Sequence, residues 1–442
     1  MIPPKLKRNN RYVIVLFLII LFPACATNDY FRTDISETPC ITGQTQTCKA
    51  AHLIVNNADN YQLGFVEIDD QGQFYDRRQA DFLVKTLKNQ QQAQYVMVYA
   101  HGWHHNAVES DFGLQRFKGM LKEAKSNHPR QQVTGIYIGW RGETLTLPIL
   151  RLLSFWDRKA VTEEVGRNAL LDFLLQVETA VKDQGHPDNT LLTVGHSLGA
   201  SVIFNALHPV LLQRLTQPEN NSLRHSYGDL VVLINPAFEA IRYATLRDAA
   251  QRYAREFQFS EQQKPLLIIA TSAADNVTKR DFSWSRIFST LFEAHRTIPA
   301  DIDNSDAELS EWALDTTALG HFEQYITHHL HANDILTKDY TCSAAPDWQK
   351  SAVDRRKREQ SLAHIATTGE GWNTGDGKTI PSLLADTAKL QFSHEQNSTA
   401  FDPYWVVQTD NSIFPSHGFI AQKHFWCFVD LAITDAIRTP KN

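Results

Sequence analysis

The sequence predicts an α/β fold in which helices flank a mostly parallel, doubly wound sheet. Continuous apolar runs recur along the chain, as expected for strands that are buried on both faces, and helical patterns separate them. The strands are expected at Tyr95–Ala100, Val133–Ile138, Leu191–Val194, Leu230–Ile234, Pro265–Ala270 and Trp405–Thr409. Apolar residues at helical spacing over Ala160–Lys182 predict a crossover helix, and we interpret this stripe as core packing.

Two further elements are expected within this α/β domain, which is predicted to span residues 51–442. Residues 65–75 hold two short extended runs around a turn, and this pattern predicts a hairpin at the edge of the sheet. The largely apolar stretch Phe419–Ile437 predicts a helix that ends the domain.

A long polar insertion at residues 340–403 precedes the last predicted strand. A loop of this length inside a compact domain is usually functional or disordered. We interpret it either as a lid over a pocket or as a decoration on the pocket rim. Its glycine-rich run, Thr367–Gly377, lacks the lysine and the strand–helix context of a phosphate-binding loop, so nucleotide binding is not expected.

The N-terminus has the pattern of an export signal over residues 1–25. The basic residues come first, namely Lys5, Lys7, Arg8 and Arg11. An apolar stretch, Tyr12–Phe22, follows and is too short for a comfortable membrane span. Two interpretations of this pattern are an ordinary cleaved signal and an uncleaved anchor. Residues 26–50 are polar and rich in threonine, which predicts a tether that lifts the domain off a membrane.

The segment Phe22-Pro23-Ala24-Cys25 resembles a bacterial lipoprotein cleavage box. This resemblance implies that Cys25 becomes the lipid-bearing first residue and that the protein is anchored to the cell envelope. Ala26 after the cysteine is typical of lipoproteins that are sorted to the outer membrane, where the domain would face the periplasm.

Composition and net charge limit the kinds of molecule that the protein is expected to bind. The chain has 442 residues, of which 43% are hydrophobic and 21% charged, and this is an ordinary globular composition. The net charge is −6, so nucleic acid is not expected as a partner.

The chain has four cysteines beyond residues 1–25, and an even number in an exported chain permits disulfides. Cys40 and Cys48 are close in sequence, so a local bridge between them is expected. Cys427 lies in an apolar helical stretch and is expected to be a buried thiol. None of the cysteines, which include Cys342, has the spacing of a metal site.

The strongest chemical signal is a G-x-S-x-G motif around Ser197, set between an apolar strand and a helical run. Gly195 and Gly199 permit a tight strand-to-helix turn, which would expose the serine hydroxyl at the top of the sheet. The helix that starts at Leu198 directs free N–H groups toward the same space. This combination predicts a nucleophilic serine.

The turn His101-Gly102-Trp103 follows the first predicted strand. Together with the Ser197 motif, it resembles the H-G-x turn of α/β-hydrolase fold enzymes, and the resemblance covers the chain from about residue 95 to the end. It implies an oxyanion hole made by the backbone N–H groups of Trp103 and Leu198. Gly102 would allow close approach of the backbone to a substrate.

Several polar and aromatic residues beside the strand ends are candidates for the substrate pocket. They are His101, Gly102, Trp140, Arg141 and His196. Arg141 either binds a substrate or forms a structural ion pair, and the ion pair is favoured. The alternative of a metal site at His101, His104 and His105 is not favoured, because no carboxylate partner is evident in the sequence.

The resemblance also assigns an acid and a base. Asp275 follows the fifth predicted strand, where this fold places the acid, and Asp281 and Asp410 are the reserve candidates. His417 lies between the last strand and the last helix, which is the position of the general base. The order Ser197, Asp275, His417 is the order expected of the family. Rival histidines lie in a stretch expected to be helical, namely His321, His328, His329 and His331.

The resemblance therefore implies a serine hydrolase that cleaves carboxylic esters, with an ester or lipid as substrate and without a cofactor or metal. Ser197 would attack the carbonyl after losing its proton to His417, which Asp275 orients. Water would then release the acyl-enzyme. The alternatives are an acyltransferase or a thioesterase on the same residues, and a non-catalytic envelope lipoprotein that binds a partner or lipid.

Overall fold

One mixed sheet organises the part of the chain that the structure describes. The computed structural model describes residues 29–43, 47–143, 151–217, 223–225, 227–260, 263–290, 293–299, 308–332, 390–394, 402–418 and 420–437. The predicted signal at residues 1–25 lies outside the described residues, as does most of the predicted insertion at residues 340–403. Among the described residues, no helix has both the length and the apolar character needed to span a bilayer.

The described part of the main sheet has eleven strands in the order β1-β2-β3-β5-β4-β6-β7-β8-β13-β11-β12. Eight neighbouring strands, from β3 to β11 in this order, run parallel. At the two ends, β2 pairs antiparallel with β3 and parallel with β1, and β12 pairs antiparallel with β11. The strands are β1 Cys40–Ile41, β2 Leu53–Asn56, β3 Tyr61–Glu67, β4 Gln94–Ala100, β5 Gln132–Gly139, β6 Thr190–His196, β7 Leu230–Ile234, β8 Leu267–Ser272, β11 His328–Ala332, β12 Leu390–His394 and β13 Tyr404–Thr409. A separate pair consists of β9 Thr297–Pro299 and β10 Glu308–Ser310.

Helices cover both faces of the sheet. Within the described residues, the α-helices are α1 Arg77–Lys88, α2 Phe112–Asn127, α3 Arg151–Arg167, α4 Ala169–Lys182, α5 Leu198–Thr216, α6 Ile241–Glu256, α7 Phe282–Ser289, α8 Glu311–Thr316 and α9 Lys423–Ile437. Buried residues of α1, α3, α4, α5 and α6 share one apolar core, and those of α2 and α9 share the other. Within β4, Val96 and Val98 face the first core, while Tyr95 and Met97 face the second. This alternation explains why the strand is apolar at every position.

The predicted α/β class and the mostly parallel sheet are confirmed. All six predicted strands exist, and their ends differ by at most two residues from the prediction. The hairpin predicted at residues 65–75 is wrong as an edge element, because β3 pairs with strands on both sides. The predicted crossover helix is two helices, α3 and α4, which are separated at Asn168.

The N-terminal segment packs against the domain, although its polar composition predicts a tether. Arg32 is fully buried, and its guanidinium donates to the Ala107 carbonyl oxygen at 2.9 Å and pairs with Glu109 at 3.0 Å. Glu67, at the end of β3, accepts the backbone N–H of Arg32 at 2.8 Å. A buried arginine requires such partners, and these come from sequence positions too distant to be recognised in the segment itself.

The cysteines follow the sequence prediction in one case and depart from it in another. The expected disulfide between Cys40 and Cys48 is present, with the Cα atoms 5.7 Å apart. Cys427 is buried, as expected, but it is disulfide-bonded. The predicted free thiol is therefore wrong, because an apolar environment indicates burial and carries no information on pairing.

Candidate active site

Ser197 stands in a tight turn between β6 and α5. Its backbone has φ 57° and ψ −119°, a region that non-glycine residues rarely adopt. A Cβ atom on Gly195 would lie 2.6 Å from the Ala200 Cα atom, and one on Gly199 would lie 2.2 Å from the Ala100 carbonyl oxygen. Both glycines are therefore required by close contact, as the motif predicts.

Backbone strain is concentrated around this turn. Five described non-glycine residues have a positive φ, and three of them, His104, Ser197 and Asn235, follow or end the neighbouring strands β4, β6 and β7. Their φ angles are 67°, 57° and 47°. Strained residues persist only where the surrounding structure holds them, and they are common at functional sites.

The structure brings the three predicted polar residues together in one hydrogen-bonded series. The His417 Nε2 atom lies 2.8 Å from the Ser197 hydroxyl oxygen. The His417 Nδ1 atom lies 2.7 Å from Asp275 Oδ2, so Nδ1–H donates to the carboxylate. This leaves Nε2 unprotonated in the neutral ring and able to accept the serine proton.

Asp275 is held as a charged acceptor. Its side chain is fully buried, and its Oδ1 accepts the backbone N–H of Val277 at 3.0 Å and of Thr278 at 3.2 Å. Burial acts to raise the pKa of Asp275, but hydrogen bonds from His417 and Thr278 and the charge interaction with His417 outweigh it, so the pKa lies below its usual value. The carboxylate therefore stays ionised at neutral pH.

The turn after β4 lies against the serine. A Cβ atom on Gly102 would lie 2.9 Å from the Ser197 Cβ atom, so only glycine allows this approach. Trp103 follows Gly102 directly in the chain. Leu198 is the first residue of α5, and its N–H has no acceptor within the helix. Both predicted oxyanion donors therefore come from segments that flank the serine.

His101, a predicted pocket residue, stabilises the turn after β4 through its hydrogen bonds and ring contacts. It is fully buried, donates from Nδ1 to the Gly102 carbonyl oxygen at 3.0 Å, and accepts the Trp140 backbone N–H on Nε2 at 3.2 Å. Its ring stacks on the Trp140 ring at 5.4 Å, and the Trp140 indole donates back to the His101 carbonyl oxygen. The contacts of His101 and Trp140 thus hold the turn rigid.

The loops that follow β4 and β5 are fastened to each other. The His104 backbone N–H donates to the Gly142 carbonyl oxygen at 3.1 Å, and the Gly142 backbone N–H donates to the His105 carbonyl oxygen at 3.2 Å. His104 Nδ1 also lies 2.8 Å from Glu143 Oε1. Arg141 pairs with Asp70, in agreement with the structural ion pair that the sequence favours.

Three residues hold the loop that carries His417, and no sequence pattern predicts this role for them. The His196 Nε2–H donates to the His417 carbonyl oxygen at 2.9 Å, and the Asn235 side-chain amide donates to the same oxygen at 2.8 Å. Arg116 donates to the Gly418 carbonyl oxygen. His196 was a candidate for the pocket, whereas Asn235 and Arg116 had no signal in the sequence beyond their polar character.

The reserve candidates lie in other environments. Asp281 is half exposed and pairs with Arg280 at 3.1 Å, and Asp410 accepts the Ser412 N–H at 2.9 Å. The stretch with the rival histidines is not a single helix, because His328–Ala332 is strand β11 and His321 ends a short 3₁₀ turn. The expected helix is therefore wrong, because pairing with β12 and β13 holds residues 328–332 as a strand.

The alternative metal site at His101, His104 and His105 is not supported by the contacts of these rings. His104 pairs with Glu143, and His105 Nδ1 lies 3.1 Å from Asp111 Oδ1, so these two rings have separate carboxylate partners. Both ring nitrogens of His101 bond to backbone groups instead. Among the described residues, the one group with metal-like spacing is elsewhere, at Glu293, His295 and Asp315.

Two buried histidines predict a loss of stability in mild acid. Burial lowers the pKa of His101 to about 4 and that of His196 to about 3, from an ordinary value near 6.5. The unfolded chain therefore binds more protons below about pH 6.5, and stability falls as the pH drops from 6.5 toward 4. Each of the two histidines should lower the free energy of unfolding by about 2 kcal/mol at pH 5 relative to pH 8.

Urea unfolding at pH 8 and pH 5 tests this expectation. His196→Gln removes the titrating group and keeps a side-chain N–H donor, so it should lose about 2 kcal/mol less than the wild type. His186→Gln, at an exposed position, is the matched control and should behave as the wild type. If the wild type and His196→Gln lose the same free energy of unfolding between pH 8 and pH 5, His196 is not a source of the pH dependence.

Comparison with protein-family models gives no match to this chain, and a search of curated proteins gives none either. Support for a function therefore comes from the geometry of the site itself. In that geometry, hydrogen bonds connect the serine of the G-x-S-x-G motif, which has a strained backbone, to a histidine and then to a buried carboxylate.

Proposed function

We propose that this protein is a serine hydrolase of the α/β-hydrolase type that cleaves carboxylic esters. The single observation that carries the proposal is the continuous series from Ser197 through His417 to Asp275, with contacts of 2.8 and 2.7 Å. A buried aspartate that orients a histidine toward a serine hydroxyl is the arrangement that activates serine for acyl transfer. The parallel sheet and the position of the serine after β6 add support.

In the proposed mechanism, the Ser197 Oγ atom attacks the ester carbonyl while His417 Nε2 takes the hydroxyl proton. Asp275 stabilises the imidazolium that forms. His417 then gives the proton to the leaving alcohol, and an acyl-enzyme remains. Water attacks this acyl group with His417 again as the base, which returns the free serine and a carboxylic acid.

The proposed oxyanion donors are the backbone N–H groups of Leu198 and Trp103. Each lies beside Ser197, one at the start of α5 and the other directly after Gly102. A preorganised donor of this kind contributes roughly 3 kcal/mol to transition-state stabilisation. The rigid contacts of His101 and Trp140 suit this role, because the donors do not have to reorganise during the reaction.

The anchoring that the sequence implies stays part of the proposal. Lipid attachment at Cys25 would hold the domain at the outer membrane, on the periplasmic side, and so close to lipid and other envelope esters. Because the described chain already packs against the domain at Arg32, few residues would separate that lipid from the folded body.

Labelling with a fluorophosphonate probe tests the proposal directly. The probe reacts only with an activated serine, so the full-length protein in detergent should be labelled at Ser197, as located by mass spectrometry. The heat-denatured protein should not react. Ser201→Ala is the matched control, since Ser201 is buried one turn along α5 and bonds to Thr162, and this variant should label as the wild type.

The alternatives give different results in the same preparation. A folded protein that stays unlabelled would favour the non-catalytic reading, in which the domain binds a partner or lipid. If Ser197 is labelled, a chain-length series of p-nitrophenyl esters with added alcohol or thiol acceptors separates hydrolysis from acyl transfer. Accumulation of a new ester in place of the free acid would favour the acyltransferase.

A further inference from the structure

Asp275 has polar contacts that the proposed mechanism does not use. The Thr278 backbone N–H lies 3.2 Å from Asp275 Oδ1, and the Thr278 hydroxyl lies 2.5 Å from Oδ2. Oδ2 is also the oxygen that accepts His417 Nδ1–H. One residue therefore contacts both oxygens of the carboxylate and fixes its rotation relative to the imidazole.

His321 fixes the direction of that hydroxyl. Its Nε2 atom lies 3.0 Å from the Thr278 Oγ1 atom. A hydroxyl has one proton, and a carboxylate can only accept, so the Thr278 proton points to Asp275. The Thr278 oxygen must then accept from His321, which requires the Nε2–H tautomer. Burial lowers the pKa of His321 to about 4, so this ring is neutral at neutral pH.

The local backbone is built to bring these two residues together. Thr278 lies in a π-helical turn, Val277–Asp281, a rare element that often marks functional sites. His321 ends the 3₁₀ turn that starts at Leu319. A Cβ atom on Gly320 would lie 1.8 Å from the Thr271 hydroxyl oxygen, so only glycine lets this turn lie against β8. β8 is also the strand that leads to Asp275.

We propose that Thr278 and His321 are positioning residues that extend the series to His321–Thr278–Asp275–His417–Ser197. Their task is to hold the carboxylate in the plane in which it accepts from His417 Nδ1. The effect on rate rests on the proposed function, whereas the geometry of the contact does not. Neither residue contacts the reacting atoms, so their removal lowers kcat and leaves KM nearly unchanged.

Thr278→Val tests the hydroxyl, because valine matches threonine in shape and keeps the backbone N–H. The labelling rate and kcat for a p-nitrophenyl ester should fall about tenfold or more, as expected for loss of a hydrogen bond to a charged group. Thr278→Ser keeps the hydroxyl and should restore most of the rate. His321→Phe should lower the rate less than Thr278→Val does, because it acts one bond further away.

Nuclear magnetic resonance of the [¹⁵N]histidine-labelled full-length protein gives a readout that does not depend on activity. The wild type should show a strongly downfield proton on His417 Nδ1 and a protonated Nε2 on His321, assigned with the His417→Ala and His321→Phe variants. Thr278→Val should shift the first signal and speed exchange of the second. Circular dichroism of each variant establishes that it is folded.

The outcomes separate the two proposals. A wild type that reacts with no probe, together with the expected spectral shift in Thr278→Val, overturns the proposed function and supports the positioning contact. Unchanged spectra and unchanged rates in Thr278→Val overturn the positioning role. Equal losses in Thr278→Ser and Thr278→Val also overturn it, since packing and not the hydroxyl would then carry the effect.

Discussion

Replacing Asp275 by asparagine is expected to lower kcat roughly 10⁴-fold while the protein stays folded. The reason is the tautomer of His417. Asp275 Oδ2 accepts from Nδ1 at 2.7 Å, and this bond leaves Nε2 free to take the Ser197 proton. An asparagine amide offers a donor at this position, which favours a proton on Nε2 and blocks the base.

The surroundings of Asp275 strengthen this expectation. Its Oδ1 is already committed to two backbone N–H groups and its Oδ2 to the Thr278 hydroxyl. An asparagine therefore places its only acceptor oxygen toward one of these donor sets and its amide toward the other. With its oxygen toward the backbone N–H groups, the asparagine presents its amide to His417 and cannot stabilise an imidazolium. With its oxygen toward His417, its amide faces the two backbone N–H groups, and these donors lose their acceptor.

Steady-state ester hydrolysis and the rate of fluorophosphonate labelling measure this effect. Asp281→Asn and Asp410→Asn are the matched controls, because both aspartates were reserve candidates and both lie near polar or charged neighbours. They should retain the wild-type rate within a few-fold. A large loss in either control, with little change in Asp275→Asn, would reassign the acid.

The three candidate residues could be found in the sequence because each of them follows a strand of a parallel sheet. Ser197, Asp275 and His417 each lie just beyond the carboxyl end of a strand or in the loop after it, and parallel strands bring these ends to one edge. The resemblance to the α/β-hydrolase fold then assigned Asp275 as the candidate acid and His417 as the candidate base, and their order along the chain agrees with it. The strands and the Ser197 motif are local patterns, which are visible in a single sequence.

The residues that support the site were not predictable in the same way. Asn235 lies 182 positions from His417, and His196 lies 221 positions from it, yet both donate to its carbonyl oxygen. Arg32 is buried by partners such as Glu109 that lie 77 positions away. Nothing near such a residue in the sequence marks its partner, because the contact exists only once the sheet has formed.

The contact between the serine turn and β4 is the second place where a large effect is expected. Gly199→Ala should destabilise the protein by about 1–3 kcal/mol or more and abolish labelling of Ser197. The added Cβ atom would lie 2.2 Å from the Ala100 carbonyl oxygen and 2.4 Å from that of His101. Both are backbone atoms and cannot rotate away, so α5 has to move from the end of β4.

That movement would separate the two proposed oxyanion donors, since Leu198 starts α5 and Trp103 follows the end of β4. Alanine is a better helix former than glycine by about 1 kcal/mol, so helix propensity alone predicts the opposite sign. Gly119→Ala measures the effect of helix propensity alone, because Gly119 lies within α2 and a Cβ atom there meets nothing within 4 Å. Urea unfolding should show Gly119→Ala as neutral or stabilised and fully reactive. A Gly199→Ala protein as stable and as reactive as the wild type would mean that α5 and β4 do not meet at this point.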